Sequence, residues 1–292
     1  MNKLAGSIIR RKENSLLLNQ AFRDLLKSNG LLDFETIYRF EGGQSVKKIS
    51  SRSIVRIKLD APEKHTLYLK RHVSEKIKPF NSSGTPSQGR LEFENICDFR
   101  ENSIPTVTPV ACGEHRIHSN QVESFVLTED FHPWISLEEL IRERPGFFKG
   151  RQGTVHKKVL LDKLGQLAKK MHRSGFNHRD FNATHILLRY TDAGQLHEPA
   201  LFDLQRVDRK RMFRLRWIIK ALAELNYSLP EDLFTPEDRR RLFQAYHGKS
   251  TLSIWNQFQC LWIQKKTARI SRHTDHMMAK RAERRRLGLP ER

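Results

Sequence analysis

The hydrophobic period alternates between helical and strand-like spacing along the chain. Over residues 1–30, Leu16, Leu17, Leu18, Phe22, Leu25 and Leu26 recur at near-helical spacing before an Asn29-Gly30 stop, which predicts a helix-rich lead-in. From Ile37 the period shortens. Ile37-Tyr38-Arg39-Phe40 and Ser53-Ile54-Val55-Arg56-Ile57-Lys58-Leu59 read as strands around a Gly42-Gly43 turn, and Thr66-Leu67-Tyr68-Leu69-Lys70 as the next strand. Residues 76–90, with Pro79, Gly84, Pro86 and Gly89 among serines, read as a mobile loop. Residues 91–102 return to helical spacing with Phe93, Ile96, Cys97 and Phe99 on the buried side, and strands follow near 107–112 and 124–127.

After Glu129 the texture changes and helical spacing dominates. Ser136 is placed to cap a short helix through Arg142, with Glu138 and Glu139 in its first turn. Over residues 154–174, Val155, Val159, Leu160, Leu164, Leu167 and Met171 fall three and four apart, the spacing of a long amphipathic helix. Residues 212–225 and 236–246 predict two more helices ahead of a basic tail.

The segment between these helices carries the chemistry. It reads His178-Arg179-Asp180, then His185-Ile186-Leu187-Leu188, then Ala200-Leu201-Phe202-Asp203. A protein-kinase catalytic loop runs His-Arg-Asp, four residues, then Asn; the Asp meets the hydroxyl to be phosphorylated and the Asn holds Mg²⁺. Here the first three residues match and His185 stands where the Asn would be. Asp180 is the candidate that orients the acceptor hydroxyl and takes its proton, against the plainer role of capping a turn. Asp203 ends an apolar strand, as a metal-bridging carboxylate would. His185 is a softer donor than Mg²⁺ prefers. It is read as a weak metal ligand, a hydrogen-bond partner of Asp203 or a phosphate, or a core histidine. The short apolar run after the loop and the second one before Asp203 would form a hairpin bringing both acids to one cleft.

Phosphoryl transfer also needs cations on the phosphates. Lys70, ending an alternating strand well upstream, is the candidate, with Glu92 or Glu94 at the start of the next helix to hold it. Gly42 and Gly43 could let backbone amides approach the phosphates, or form a plain hairpin turn. The whole reads as an α+β, two-lobed, protein-kinase-like fold. It divides into an N-terminal helical extension (1–35), a small β-rich N-lobe (36–128), a larger helical C-lobe (129–250), and a C-terminal helix and basic tail (251–292).

Composition narrows the partners. The 53 Lys and Arg exceed the 33 Asp and Glu by 20, an excess that concentrates polyanions such as nucleotides, anionic lipids, phosphorylated glycolipids or nucleic acid. No apolar run approaches the roughly 20 residues of a spanning helix, and no secretory signal is expected from residues 1–14. The three cysteines lie far apart and read as reduced thiols, not a disulfide framework or a metal cluster.

From about Phe40 to Tyr227 the sequence resembles the bacterial lipopolysaccharide core kinases, the Kdo and heptose kinase family, which has a protein-kinase-like fold. That family has His at the His185 position, in a pattern like His-Gly-Asp, four residues, His-X-Leu-Leu; Arg179 replaces the Gly. Phe202-Asp203-Leu204-Gln205-Arg206 matches its Ile-Asp-Leu-(His/Gln)-Arg. Arg214-Leu215-Arg216-Trp217-Ile218-Ile219-Lys220-Ala221-Leu222 matches its Arg-rich segment and Trp-X-X-Lys-X-Leu helix. Glu92-Phe93-Glu94-Asn95-Ile96 leading to Ser103-Ile104-Pro105-Thr106 resembles its Glu-Trp helix and Gly-Val-Pro-Thr turn, and selects Glu92 as the partner of Lys70.

The resemblance implies transfer of the ATP γ-phosphate, with Mg²⁺, to a heptose or Kdo hydroxyl of a lipid A-core glycolipid at the inner face of the cytoplasmic membrane. Arg206, Arg209, Arg211 and Arg214 would then meet the anionic acceptor, and the anionic membrane surface would be a further partner. The tail aromatics Trp255, Phe258, Leu261 and Trp262 either meet that membrane interface or pack on the larger lobe, with the last arginines disordered. Neither nucleic acid nor an obligate protein partner is expected. The alternatives are a phosphotransferase for a small metabolite or protein hydroxyl, and a basic pseudokinase that binds anionic lipid or nucleic acid.

Overall fold

The computed structural model describes residues 10–13, 15–60, 64–76, 86–118, 120–191, 195–209, 212 and 214–288. They fall into two compact units, one of residues up to Trp134 together with Ala200–Arg206, the other of Ile135–Pro199 and the residues from Val207 on.

The first unit is built on a seven-stranded antiparallel sheet. In chain order its elements are β1 (Arg10–Glu13), β2 (Leu16–Asn19), α1 (Arg23–Ser28), α2 (Phe34–Tyr38), β3 (Gln44–Ile49), β4 (Arg52–Leu59), β5 (His65–Lys76), α3 (Gln88–Glu101), β6 (Pro109–His118) and β7 (Gln121–Glu129). The strands lie in the order β1-β2-β6-β7-β5-β4-β3.

Two expectations are corrected here. Leu16-Leu17-Leu18 is strand, not helix: β2 pairs with β6, Leu17 opposite Cys112. Leu16 and Leu18 enter the main core while Leu17 packs on the other face with Phe93, Cys97 and Val126. Three consecutive leucines suit a strand covered on both faces, and such a run does not reveal its period. Ile37–Phe40, expected as strand, instead belongs to α2 and its end. The Asp33 carboxylate accepts the Thr36 N–H at 2.9 Å as an N-cap, and Phe34 and Ile37, one helical turn apart, are both buried.

Leu25, Leu26, Leu31, Phe34 and Ile37 share one core with Ile57, Leu67, Leu69 and Phe125. The segment expected as a separate helical extension is thus, in its described residues, part of the sheet unit's core. β3 is exposed along its length, and Lys47 and Lys48 blunt that edge. The Ser87 hydroxyl caps α3 by accepting the Arg90 N–H at 3.2 Å. A Cβ at Gly89 would stand 2.5 Å from the Phe125 carbonyl oxygen, so only glycine lets α3 approach the sheet this closely. The centre of the expected 76–90 loop, residues 77–85, lies outside the described residues.

The second unit contains β8 (Ile135–Ser136), α4 (Leu137–Glu143), α5 (Gly150–Arg173), β9 (Phe176–His178) and β10 (Ile186–Leu188). The chain then contributes β11 (Ala200–Leu201) to the first unit, and continues in the second with β12 (Val207–Arg209), α6 (Arg214–Tyr227), α7 (Pro236–His247) and α8 (Ile254–Arg286). The Ser136 hydroxyl caps α4 by accepting the Glu139 N–H at 3.0 Å, as the sequence predicts.

α5 is the spine of this unit. Leu160, Leu164 and Met171 are fully buried, whereas Val155 and Val159, expected on the same face, are 50% and 39% exposed. α7 packs against it so closely that a Cβ at Gly165 would stand 2.6 Å from the Ala245 Cβ. The buried Lys157 ammonium is held by Asp238 at 2.7 Å and the Leu233 carbonyl at 2.9 Å. α8 is anchored to α6 through Asn226, whose amide donates to the Thr267 hydroxyl at 3.0 Å. Its helix continues through Arg281 and Arg284–Arg286, so these tail arginines are helical.

Candidate active site

In the first unit the sheet delivers Lys70 to a buried ion cluster. Leu67 and Leu69 point into the core at 0% exposure, so the period of two sends Lys70 to the other face, where it is 7% exposed. Its ammonium lies 2.7 Å from Glu92 on α3 and 2.5 Å from Asp203 just beyond β11. Burial lowers the ammonium pKa, but Glu92 and Asp203 together outweigh it, and Lys70 is shifted upward. It stands as a charged group facing two carboxylates. Glu94, the competing acid, is taken by Arg90 at 2.8 Å one helical turn away.

Asp203 is held by its neighbours. Leu201 N–H donates to Pro105 O at 2.9 Å, Thr106 Oγ1 donates to Leu201 O at 2.6 Å, and Asn95 Nδ2 donates to Leu204 O at 2.8 Å. Between these clamps Asp203 takes a left-handed conformation at φ 58°, uncommon outside glycine though more tolerable for Asp. Such strain persists where surrounding contacts fix it, and it aims the carboxylate at Lys70.

Gly42 and Gly43 are not at a hairpin turn. Gly43, at φ 110°, precedes β3, and a Cβ there would stand 2.6 Å from the Arg56 carbonyl oxygen. The β3–β4 turn is Ser50-Ser51, at the other end of β3 and about 20 Å of strand away. Two further residues, unmarked by any motif, share this neighbourhood: His72, 5% exposed, and Arg52, its partner in the β4–β5 register. Burial first, then the nearby Lys70 and Arg52 charges, pushes the His72 imidazole down to about 4.

In the second unit, β9 leads into the loop that holds Asp180. The Asp180 N–H donates to His178 Nδ1 at 3.1 Å, and His178 is completely buried. His185 Nδ1 lies 2.9 Å from the Asp180 carbonyl oxygen. A carbonyl only accepts, so His185 carries its proton on Nδ1 and, when neutral, its lone pair on Nε2. Arg179 is gripped by Asp208 of β12 through two bonds, Nε to Oδ2 at 2.7 Å and Nη2 to Oδ1 at 2.8 Å. This bidentate pair joins the loop to β12 and gives a use to the Arg that departs from the family's Gly. Lys220 of α6, from the Trp-X-X-Lys-X-Leu segment, reaches within 3.5 Å of the Arg179 carbonyl.

The candidate acceptor arginines divide between the two units. Arg206 belongs to the first unit and is exposed. In the second unit Arg209 is exposed with its guanidinium 5.5 Å from the Phe176 ring centroid, and Arg214 donates to the His172 carbonyl. Arg211 lies outside the described residues.

The sequence profile of the lipopolysaccharide kinase (Kdo/WaaP) family matches residues 50–246. The chain belongs to this family. It is accordingly a lipopolysaccharide core sugar kinase, a phosphotransferase acting on a sugar hydroxyl, with a protein-kinase-like fold. The family span holds Lys70, Glu92, Asp180, His185 and Asp203, and leaves Gly42 and Gly43 outside it. Among its members, the lipopolysaccharide core heptose(I) kinase WaaP of Pseudomonas aeruginosa is 27% identical over 268 residues, covering 87% of this chain and 95% of that protein. The Escherichia coli protein of the same name is 27% identical over 238 residues, covering 79% and 87%. A solved structure of WaaP in complex with acyl carrier protein superposes with a TM-score of 0.65 at 24% identity, over 87% of this chain and 98% of that one.

Proposed function

We propose that this kinase transfers the γ-phosphate of ATP to a heptose hydroxyl of the inner core, on a lipid A-anchored saccharide at the inner face of the cytoplasmic membrane. Heptose is favoured over Kdo because both relatives described above are named heptose(I) kinases. The observation that carries the reading is the Lys70–Glu92–Asp203 cluster, assembled from residues up to 133 positions apart.

Lys70 takes the phosphates of the nucleotide, with Glu92 holding its ammonium in place. Asp180 orients the acceptor hydroxyl and receives its proton as the new oxygen–phosphorus bond forms. The bond to the β–γ bridging oxygen breaks, and its electron pair leaves with ADP. Asp203 fits a divalent cation such as Mg²⁺, being a hard oxygen donor held in a strained conformation. His185 would add at most a softer nitrogen ligand through Nε2. Among the described residues no cluster of three or more such side chains forms a complete cage, which suits an ion that keeps waters and binds substrate phosphates. When bound, the metal would neutralise charge developing on the phosphoryl oxygens. Arg206, Arg209, Arg211 and Arg214 supply positive charge for the anionic acceptor. No helix among the described residues is long and apolar enough to cross a membrane.

A peripheral position is supported by α8. Ile254, Trp255, Phe258 and Leu261 are 87%, 56%, 53% and 56% exposed, so the aromatics do not pack away on the unit. Lys265, Arg269 and Arg272 continue the same exposed face, and no acid occurs between Ile254 and Asp275. Such a face suits an anionic bilayer at about 1 kcal/mol per basic residue near the surface.

The test is ATP-dependent phosphorylation of purified core saccharide lacking phosphate, followed by fragmentation in the mass spectrometer. Phosphate on a heptose supports the proposal. Phosphate on Kdo overturns the choice of sugar, and no transfer overturns the acceptor.

A further inference from the structure

Arg52 opens β4 immediately after the Ser50-Ser51 turn. Its Cα partners are Ile49 on β3 and His72 on β5. Directly opposed residues share a face of a sheet, and residues two apart on a strand share it too. Arg52, His72 and Lys70 therefore lie on one face, the one that carries the Glu92 and Asp203 contacts.

The neighbouring sheet arginines are spoken for: Arg56 bonds Asp130 at 2.5 Å, and Arg71 donates to the Phe40 carbonyl. Arg52 is half-buried, its Nε is shut off from solvent without a hydrogen-bond partner, and its side chain forms no hydrogen bond or ion pair among the described residues. An enclosed guanidinium atom with no acceptor is costly. No hydrogen bond joins it to Glu92, whose Oε2 accepts from Lys70 at 2.7 Å. Its charge is nonetheless felt at the site, where it lowers the pKa of His72 and opposes the upward shift of Glu92.

The turn preceding it explains why a cation is needed there. Spaced-glycine lids hold nucleotide phosphates with backbone amides, but this turn reads Ile49-Ser50-Ser51-Arg52 and contains no glycine. A planar guanidinium offers a phosphate two parallel donors and a fixed charge.

We propose that Arg52 is a second phosphate-binding cation of the nucleotide site, a side-chain substitute for the missing glycine lid. The assignment rests on the reading that the Lys70 cluster takes ATP. It is tested by calorimetric titration of the full-length protein with MgATP and, separately, adenosine. Wild type, Arg52→Ala, Arg52→Gln and Arg52→Lys are compared. Loss of charge-assisted bonds to phosphate is expected to weaken ATP binding about tenfold or more in the Ala and Gln variants. Adenosine affinity stays unchanged, and Lys restores part of the ATP affinity. Unchanged ATP affinity in Ala and Gln overturns the proposal, as does an equal loss for ATP and adenosine, which would mark a structural role. Failure of the wild type to bind ATP would instead overturn the kinase-site reading itself, and is visible before any variant is compared.

Discussion

Asp203 Oδ1 lies 2.5 Å from Lys70 Nζ, across 133 residues of chain, from a backbone at φ 58°. The contact ties the strand that carries the lysine proposed for the phosphates to the acid proposed for the metal. Asp203→Asn keeps the shape and tolerates the left-handed backbone but removes the charge. It is expected to fold and to lose the Mg²⁺-dependent part of ATP affinity, by about tenfold or more. Titrations with and without Mg²⁺ check this, and an unchanged Mg²⁺ dependence would count against the role.

His185 bonds the Asp180 carbonyl through Nδ1 at 2.9 Å. An Asn amide can donate in the same direction, whereas Ala cannot. His185→Asn should therefore retain the fold and measurable transfer, and His185→Ala should lose transfer by about tenfold or more. Comparing kcat over a range of Mg²⁺ concentrations at saturating ATP checks the order. Wild-type turnover in the Ala variant would make His185 a mere filler.

His172 is 3% exposed in α5, with Nδ1 3.1 Å from the Tyr246 hydroxyl. Burial first, then the Arg214 charge, pushes its imidazole from 6.5 down to about 3. The unfolded chain takes up a proton as pH falls through 6.5, while the folded chain resists until about 3. Stability is therefore full above that window and falls as pH drops through it, by roughly 1.4 kcal/mol per pH unit. Burial of His72 works in the same direction down to about 4. Urea unfolding at pH 7, 6, 5 and 4 should show this slope, and His172→Gln should flatten it. A variant with the wild-type slope would contradict the assignment.

The exposed α8 face predicts binding to vesicles containing anionic phospholipid, weakened by salt. Trp255→Glu with Phe258→Glu should abolish co-sedimentation while leaving ATP affinity intact, because neither residue belongs to the nucleotide site. Binding undiminished in that double variant would remove α8 from the membrane.

What the sequence made legible was local. The loop from His178 to His185, the acid at Asp203 and the Ser136 cap of α4 are short-range patterns, whereas α3 begins at Gln88, inside the stretch expected as a loop, under a Ser87 cap that was not anticipated. Lys70 was also within reach through its alternating strand, but the helix start left Glu92 and Glu94 open and the family resemblance chose between them. The failures came from runs too short to show a period, such as Leu16-Leu17-Leu18 and Ile37-Tyr38-Arg39-Phe40. Others needed strand register. Arg52 shares a face with Lys70 only because it pairs with His72, and Gly42-Gly43 lost its turn to Ser50-Ser51 because β3 begins after the glycines. The Arg179–Asp208 pair likewise depends on β9 meeting β12. Exposure was the remaining gap, since Trp255 and Phe258 are as apolar in a core as on a surface.

The central claim is that Asp180 carries the proton transfer of a sugar kinase. Its most direct test is phosphate transfer from ATP to dephosphorylated core saccharide by wild type and Asp180→Asn, with ATP affinity measured in parallel. The account predicts phosphate on the saccharide for wild type, a loss of at least about a hundredfold in rate for the variant, and equal ATP affinity for both. Transfer at the wild-type rate by Asp180→Asn would contradict it.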